Sequence, residues 1–161
     1  MESLNELIDL YLRSNTSLFL SGLDIVTDFD PTMPKIYPDI NHFERDALTS
    51  DIMHLIIELS GEQADAKMND RSMTKLRYGT VFVDGIQYLV IDHDGNQIPA
   101  DALTKLNRIL SAIGAGEKIS TLGRGGNYRA AYHLVDYGGS ISIENTSGEY
   151  HVSTTVEIPL N

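Results

Sequence analysis

Apolar residues along this chain recur at two periods, and the switching between them outlines the fold. Over residues 2–13, ESLNELIDLYLR, the positions Leu4, Leu7, Ile8, Leu10 and Leu12 fall on or near one helical face. Residues 17–28 alternate loosely and become β-branched toward LDIVTDF, which predicts a strand. FDPTMPKIYPD at 29–39 carries three prolines and reads as a connector. Asp39 or Asn41 can cap a second helix, running to about Ser60. Its apolar positions Phe43, Ala47, Leu48, Ile52, Leu55, Ile56 and Leu59 recur at three and four residues. GEQADAKMNDRS then reads as a polar loop.

The second half is built from hairpins and helices. Asp84-Gly85 lies between two alternating apolar runs in LRYGTVFVDGIQYLVID, a strong short-range hairpin signal. Pro99 opens a helix over PADALTKLNRILSAIG, at a position where proline is tolerated. Glycines punctuate AGEKISTLGRGG, a helix follows over NYRAAYHLVDY, and Gly138-Gly139 caps it. SISIEN and YHVSTTVEIPL form a second hairpin. The order is α-β-α-β-β-α-α-β-β without internal repeat, so residues 1–161 are expected to form one α+β domain. Its architecture is a two-layer sandwich, a mixed and mostly antiparallel sheet with about three helices on one face.

Composition narrows the picture by exclusion. A chain of 161 residues buries roughly 68–70% of its unfolded surface and needs no covalent staple. Without cysteine there is no disulfide framework, thiolate zinc site or Cys nucleophile. The net charge of −11, from 12 basic and 23 acidic residues, repels nucleic acid and anionic lipid. The run SLFLSGLDIV is far short of the ~20 residues a membrane span needs, and the acidic N-terminus is unlike a signal peptide. A cytoplasmic domain with no nucleic-acid or membrane contact is expected.

The order of motifs resembles the ATP-binding catalytic (HATPase, GHKL or Bergerat-fold) domain of sensor histidine kinases. GLDIVTDFDPTMPKIYPDINHFER is similar to that family's strand and its entry to the first long helix. YLVIDHDGNQIP stands at its first glycine box, GRGGNYRAAYHLVDYGGSISIEN resembles its second, and EYHVSTTVEIPL is like its closing strand. The resemblance leads to the expectation that only the catalytic half is represented, with no helical hairpin carrying a phospho-accepting histidine before it.

The resemblance implies a nucleotide pocket, and the chain departs from it. In the family the long helix carries Asn residues four apart, one of which holds magnesium beside the triphosphate. Setting DIMHLIIELS against that segment puts Asp51 at the first position and Leu55 at the metal-binding one; an ungapped register gives Thr49 and Met53. None supplies the amide oxygen, and a leucine cannot ligate a hard cation. The first glycine box has an Asp that accepts a hydrogen bond from the adenine amino group; aligning Gly95 and Ile98 puts His93 there. Asp92 and Asp94 flank it, and in a strand they point to the opposite face. Gln97 replaces a glycine. Gly123, Gly125 and Gly126 could still offer N–H groups to a phosphate, although Arg124 and Asn127 replace the family's small and apolar residues there.

Other candidates weigh less. His42 in HFER lacks the following acid and proline of a phospho-acceptor box and reads as a helix-start surface residue. His54, His133 and His151 read as structural. Lys118 and Arg124 could hold an anion with the glycine amides, although solvated charges are the simpler reading. Glu58 and Glu62 lie four apart on one helical face and read as solvated. Tyr128, Tyr132 and Tyr137 read as packing. No catalytic residue and no metal ligand is assigned, and no cofactor is expected.

The expected function is a degenerate histidine-kinase-like module of two-component signalling, a pseudo-ATPase acting through protein contact. The degenerate pocket is His93, Asp94, Gly95, Ile98, Gly123, Gly125 and Gly126, with Asp51 and Leu55 on the helix. Its partners would be a response-regulator receiver or a kinase's helical domain. The alternative is an active ATP-binding domain of a histidine kinase, or of an anti-sigma-type serine kinase, using ATP and magnesium in a divergent pocket.

Overall fold

The computed structural model describes residues 1–38, 47–119 and 125–160, with backbone only at 15–19. Two short strands, β1 (Glu2–Ser3) and β3 (Lys35–Tyr37), form a small antiparallel pair. The main sheet has the order β2-β4-β5-β7-β6, built from Asp24–Asp28, Lys75–Val83, Ile86–His93, Val152–Pro159 and Ser140–Asn145 respectively. Among the described residues only the β2–β4 pair is parallel. Four α-helices occur among the described residues: α1 (Leu4–Phe19), α2 (Ala47–Asn69), α3 (Ala100–Gly114) and α4 (Gly126–Tyr132). This is the expected α+β sandwich with a mixed, mostly antiparallel sheet.

Strand periodicity places the core. Leu76 and Tyr78 of β4, Leu89 and Ile91 of β5, and Val156 and Ile158 of β7 alternate inward and are buried against the helices. From the helices come Leu4, Leu7 and Ile8 of α1 and Ile52, Leu55, Ile56 and Leu59 of α2, all fully buried. The Asp84-Gly85 turn has φ of 52° and 76°, the paired positive values that fit a two-residue hairpin to the sheet twist. Asp30 ties the proline-rich connector to β4, since its carboxylate accepts the Phe82 N–H at 2.8 Å.

Several element boundaries differ from expectation; the helix expected over NYRAAYHLVDY, for one, ends at Tyr132, and a separate 3-10 turn follows at Val135–Tyr137. The first helix continues to Phe19, so the strand shortens to Asp24–Asp28. Ser14, polar enough to suggest a break, instead returns its hydroxyl to the carbonyls of Leu10 (2.9 Å) and Tyr11 (3.1 Å). The second helix continues nine residues past Ser60, to Asn69, through the segment expected to be a loop. Its polar residues there are not all solvated: Ser60 is buried and hydrogen-bonded to the Tyr78 hydroxyl at 2.7 Å, and Gln63 is buried too. Pro99 is the N-cap of α3 and not its first residue, its carbonyl accepting the Leu103 N–H at 2.9 Å. The cap candidates Asp39 and Asn41, and His42 with its HFER neighbours, lie outside the described residues. No described helix is long and apolar enough to cross a membrane.

Candidate functional site

The continuation of α2 matters because it builds one wall of a cleft. The other walls are the end of β5 with the turn after it, the inner faces of β6 and β7, and the start of α4. Glu62 and Gln63 of α2, His93 of β5, Ile98, Asn127 of α4 and Thr154 of β7 line a cavity of about 280 Å³.

Alternation along β5 decides which acids and bases enter it. His93 points inward and is 9% exposed. Asp92 points outward and holds Arg77 through Nη2 (2.7 Å) and Nε (3.0 Å). Asp94 turns away as well: its carboxylate accepts the Thr74 N–H (2.8 Å), the Thr74 hydroxyl (2.6 Å) and the Lys75 N–H (2.8 Å). Burial raises its pKa, but these hydrogen bonds outweigh it and hold the group below the ordinary aspartate value. Asp94 therefore fastens the start of β4 and does not enter the cleft, a correction to its place in the pocket.

His93 Nδ1 accepts the Gly95 N–H at 3.0 Å. Burial pushes the imidazole pKa below the ordinary histidine value, against the upward pull of Asp94 and Asp70. A neutral ring whose Nδ1 accepts must carry its proton on Nε2. Gly95 leaves room for its neighbours here, since a Cβ would lie 2.8 Å from Asp70 Oδ2 and 3.1 Å from His93 Nδ1 and would require those side chains to shift. Asp70 in turn accepts the Asn96 N–H at 2.6 Å, and His151 Nδ1 lies 3.0 Å from the Gly95 carbonyl. Asn145 brackets Ile98, taking its N–H (2.9 Å) and donating to its carbonyl (2.8 Å). Gln97 donates to the Thr146 carbonyl at 2.9 Å and leaves the cleft.

On α2 the two positions expected to face the pocket do not. Leu55 is fully buried in the core. Asp51 accepts the Tyr137 hydroxyl at 2.6 Å and lies 3.3 Å from His133 Nδ1. His133 in turn stacks on His54 at 5.3 Å. The alternative register fails as well, since Thr49 and Met53 are both buried. The residues that meet α4 are Glu58 and Glu62, two turns further along. Their four-residue spacing on one helical face was visible in sequence, but both were read as solvated.

Glu62 accepts the Gly126 N–H through its carboxylate, and Glu58 Oε2 pairs with Arg129 Nε at 2.8 Å. The helices are pressed together there. A Cβ on Gly126 would run into the Glu58 carbonyl, and one on Gly125 (φ 133°) would sit 2.8 Å from Glu62 Oε1. Gly123 and Arg124 lie outside the described residues; Lys118 is exposed. The Tyr132 hydroxyl accepts the Ile119 N–H (3.0 Å) and donates to the Ile119 carbonyl (2.6 Å).

Two polar groups that sequence reasoning missed as site residues complete the cleft. Gln63 Oε1 and Asn127 Oδ1 are buried and have no hydrogen-bond partner. Among the described residues no group of three or more His, Cys, Asp or Glu side chains is placed to hold a metal.

No family model matches the sequence, and no curated protein matches it. Solved structures do match in fold. The histidine kinase domain of the blue-light activated histidine kinase of Erythrobacter litoralis EL346 aligns at TM-score 0.64 and 13% identity, over 98% of this chain and 61% of that one. The mycobacterial sensor histidine kinase MprB aligns at 0.66 and 15%, over 98% and 94%. Histidine kinase ThkA, in complex with response regulator protein TrrA, aligns at 0.66 and 21%, over 99% of this chain and 41% of that one. The fold is therefore that of histidine kinase catalytic domains, and the chain spans about three fifths of the first of these relatives.

Proposed function

We propose that this domain is a histidine-kinase-like module of two-component signalling that carries no magnesium–ATP and acts through protein contact. The observation that carries this reading is the Glu62 carboxylate on the Gly126 N–H. By the resemblance to the ATP-binding family, that amide would be offered to a nucleotide phosphate, and here a carboxylate of the chain itself takes its hydrogen bond.

The balance of terms favours exclusion. A phosphate at 4 Å from a carboxylate is repelled by on the order of 4 kcal/mol per pair of unit charges at an effective dielectric of 20. The half-exposed position of Glu62 reduces that figure through solvent screening. A single charge-assisted N–H bond returns only about 1.5–3 kcal/mol, and Glu62 already has it. The cavity of about 500 Å³ that Glu62 and Gly126 both line has two cations among the described residues, and both are engaged: Arg129 is paired with Glu58, and Lys67 donates to the Met73 carbonyl. Residues arranged in this way do not fit a magnesium–triphosphate pair.

A module without nucleotide would work by docking. The complex of ThkA with its response regulator motivates a receiver domain as partner, with a kinase's helical domain as the other choice. Calorimetric titration with ATP, with and without magnesium, tests the reading. Silence to millimolar nucleotide is expected, and micromolar binding would reject it in favour of an active kinase domain.

A further inference from the structure

The main sheet of this domain has two edges, and they are finished differently. At β6, Asn107 of α3 donates to the Ile143 carbonyl (2.7 Å) and accepts its N–H (2.9 Å), so a side-chain amide sits where a further strand would bond. At β2 the edge is open. Asp24 donates its N–H to the Thr74 carbonyl at 2.8 Å, and the parallel register then turns the backbone groups of Asp24, Val26 and Asp28 toward β4. Those of Ile25 and Thr27 point away from the sheet, and no described residue meets them. Edge strands are commonly protected by a lysine, a proline or a bulge, and β2 has none of the three. Beside it lies a groove of about 460 Å³ against α1, whose apolar lining is Leu12, Leu20, Leu23 and Ile25.

Side chains alternate across β2. Ile25 packs toward the core, while Asp24, Val26 and Asp28 stand exposed on the outer face of the sheet. The cations beside them on β4 are engaged elsewhere: Lys75 pairs with Glu149 at 2.9 Å and Arg77 with Asp92 at 2.7 Å. Asp24 and Asp28 have no ion-pair partner among the described residues. The geometry points to β2 as a docking edge for an extended segment of a partner protein in which apolar residues alternate with lysine or arginine. The segment's backbone bonds to Ile25 and Thr27 and adds a strand to the sheet. Its apolar side chains enter the groove over Leu12, Leu20 and Leu23. Its cations, on the other face, come level with Asp24 and Asp28, where opposite charges on neighbouring strands attract. A second copy fits worse, because β2 laid antiparallel on β2 about Val26 sets Asp24 against Asp28 in both directions. The inference goes beyond docking in general by naming the surface and the pattern it takes, and it needs nothing of the nucleotide cleft.

Two end-blocked octapeptides are the probes, one alternating valine with lysine and one with its valines in a block before its lysines. Both carry the same charge, so general attraction to a chain of net charge −11 does not tell them apart. Titration of the full chain should show the alternating peptide at least tenfold tighter. Hydrogen exchange at the Ile25 and Thr27 amides should slow when it binds. Ile25→Pro removes an edge donor and leaves the β2–β4 ladder intact, and should weaken the alternating peptide at least tenfold. If that variant fails to fold, Asp24→Lys with Asp28→Lys, both exposed, should turn the preference to a peptide alternating valine with glutamate. Equal binding of the two peptides, no binding to millimolar, or binding without protection of Ile25 and Thr27 overturns the inference. So does protection of those amides that grows with protein concentration alone, which would make the occupant a second copy. Calorimetry with ATP tests the nucleotide reading separately, and neither result decides the other.

Discussion

Glu62 accepts the backbone N–H of Gly126, so the last third of α2 caps the first turn of α4. The contact turns a glycine-led helix start, which elsewhere attracts anions from solution, into an internal hydrogen bond.

Neutralising that contact should open the site. Glu62→Gln keeps an acceptor for Gly126 and removes the charge that repels phosphate. Affinity for ATP should rise at least tenfold by calorimetry, while stability falls by about 1 kcal/mol from the loss of a charge-assisted bond. Unchanged nucleotide affinity would mean that Glu62 is not what excludes phosphate.

The helix register makes a second prediction. Leu55 is fully buried, so Leu55→Asn places an amide in the core and should cost several kcal/mol in urea unfolding without creating a magnesium site. Glu58→Asn with Glu62→Asn sits on the face that meets α4 and should leave the fold intact. If Leu55→Asn proved benign and bound magnesium, α2 would have to be turned relative to this structure.

How much of this was legible beforehand depended on how local the cause was. The Asp84-Gly85 turn is written in two residues and was read correctly. The inward position of His93 and outward position of Asp92 follow from strand alternation alone. The end of α2 was not legible, because GEQADAK carries a glycine and several polar residues. Its helicity depends on tertiary partners such as Tyr78 for Ser60. The metal-binding positions expected at Asp51 and Leu55 rested on a register taken from the family resemblance, and they lie two turns short of Glu58 and Glu62. The pairing of Glu58 and Glu62 with α4 joins residues more than sixty apart in sequence, and no local pattern announces it.

Two glycines on facing elements test the packing of the site. Gly61 lies within α2 with nothing near its absent side chain, so Gly61→Ala should stabilise by about 0.5–1 kcal/mol through helix propensity. Gly126→Ala drives a methyl into the Glu58 carbonyl and should destabilise by about 1–3 kcal/mol, read in the same unfolding assay. Equal effects at both positions would contradict the close approach of α2 and α4.

Protonation of His93 should appear in the pH dependence of stability. Its folded pKa is depressed by burial, with Asp94, Asp70, Asp92 and His151 as its charged or titratable neighbours. Above the ordinary histidine value both folded and unfolded chains are neutral at this residue, and it contributes nothing. As pH falls below that value the unfolded chain takes up the proton first, so stability declines until the folded pKa is reached. His93→Gln should flatten that limb. A separate loss follows below the ordinary aspartate range, where Asp70 and Asp94, both held low by hydrogen bonds, become protonated. An unchanged limb near neutrality in the variant would show that His93 is not the group responsible.

The most direct measurement is the amide resonance of Gly126 in a proton–nitrogen correlation spectrum. Glu62→Gln should move it strongly, and millimolar magnesium–ATP added to the unaltered chain should leave it in place. A Gly126 resonance that moved with micromolar nucleotide, and was indifferent to the residue at position 62, would contradict the account.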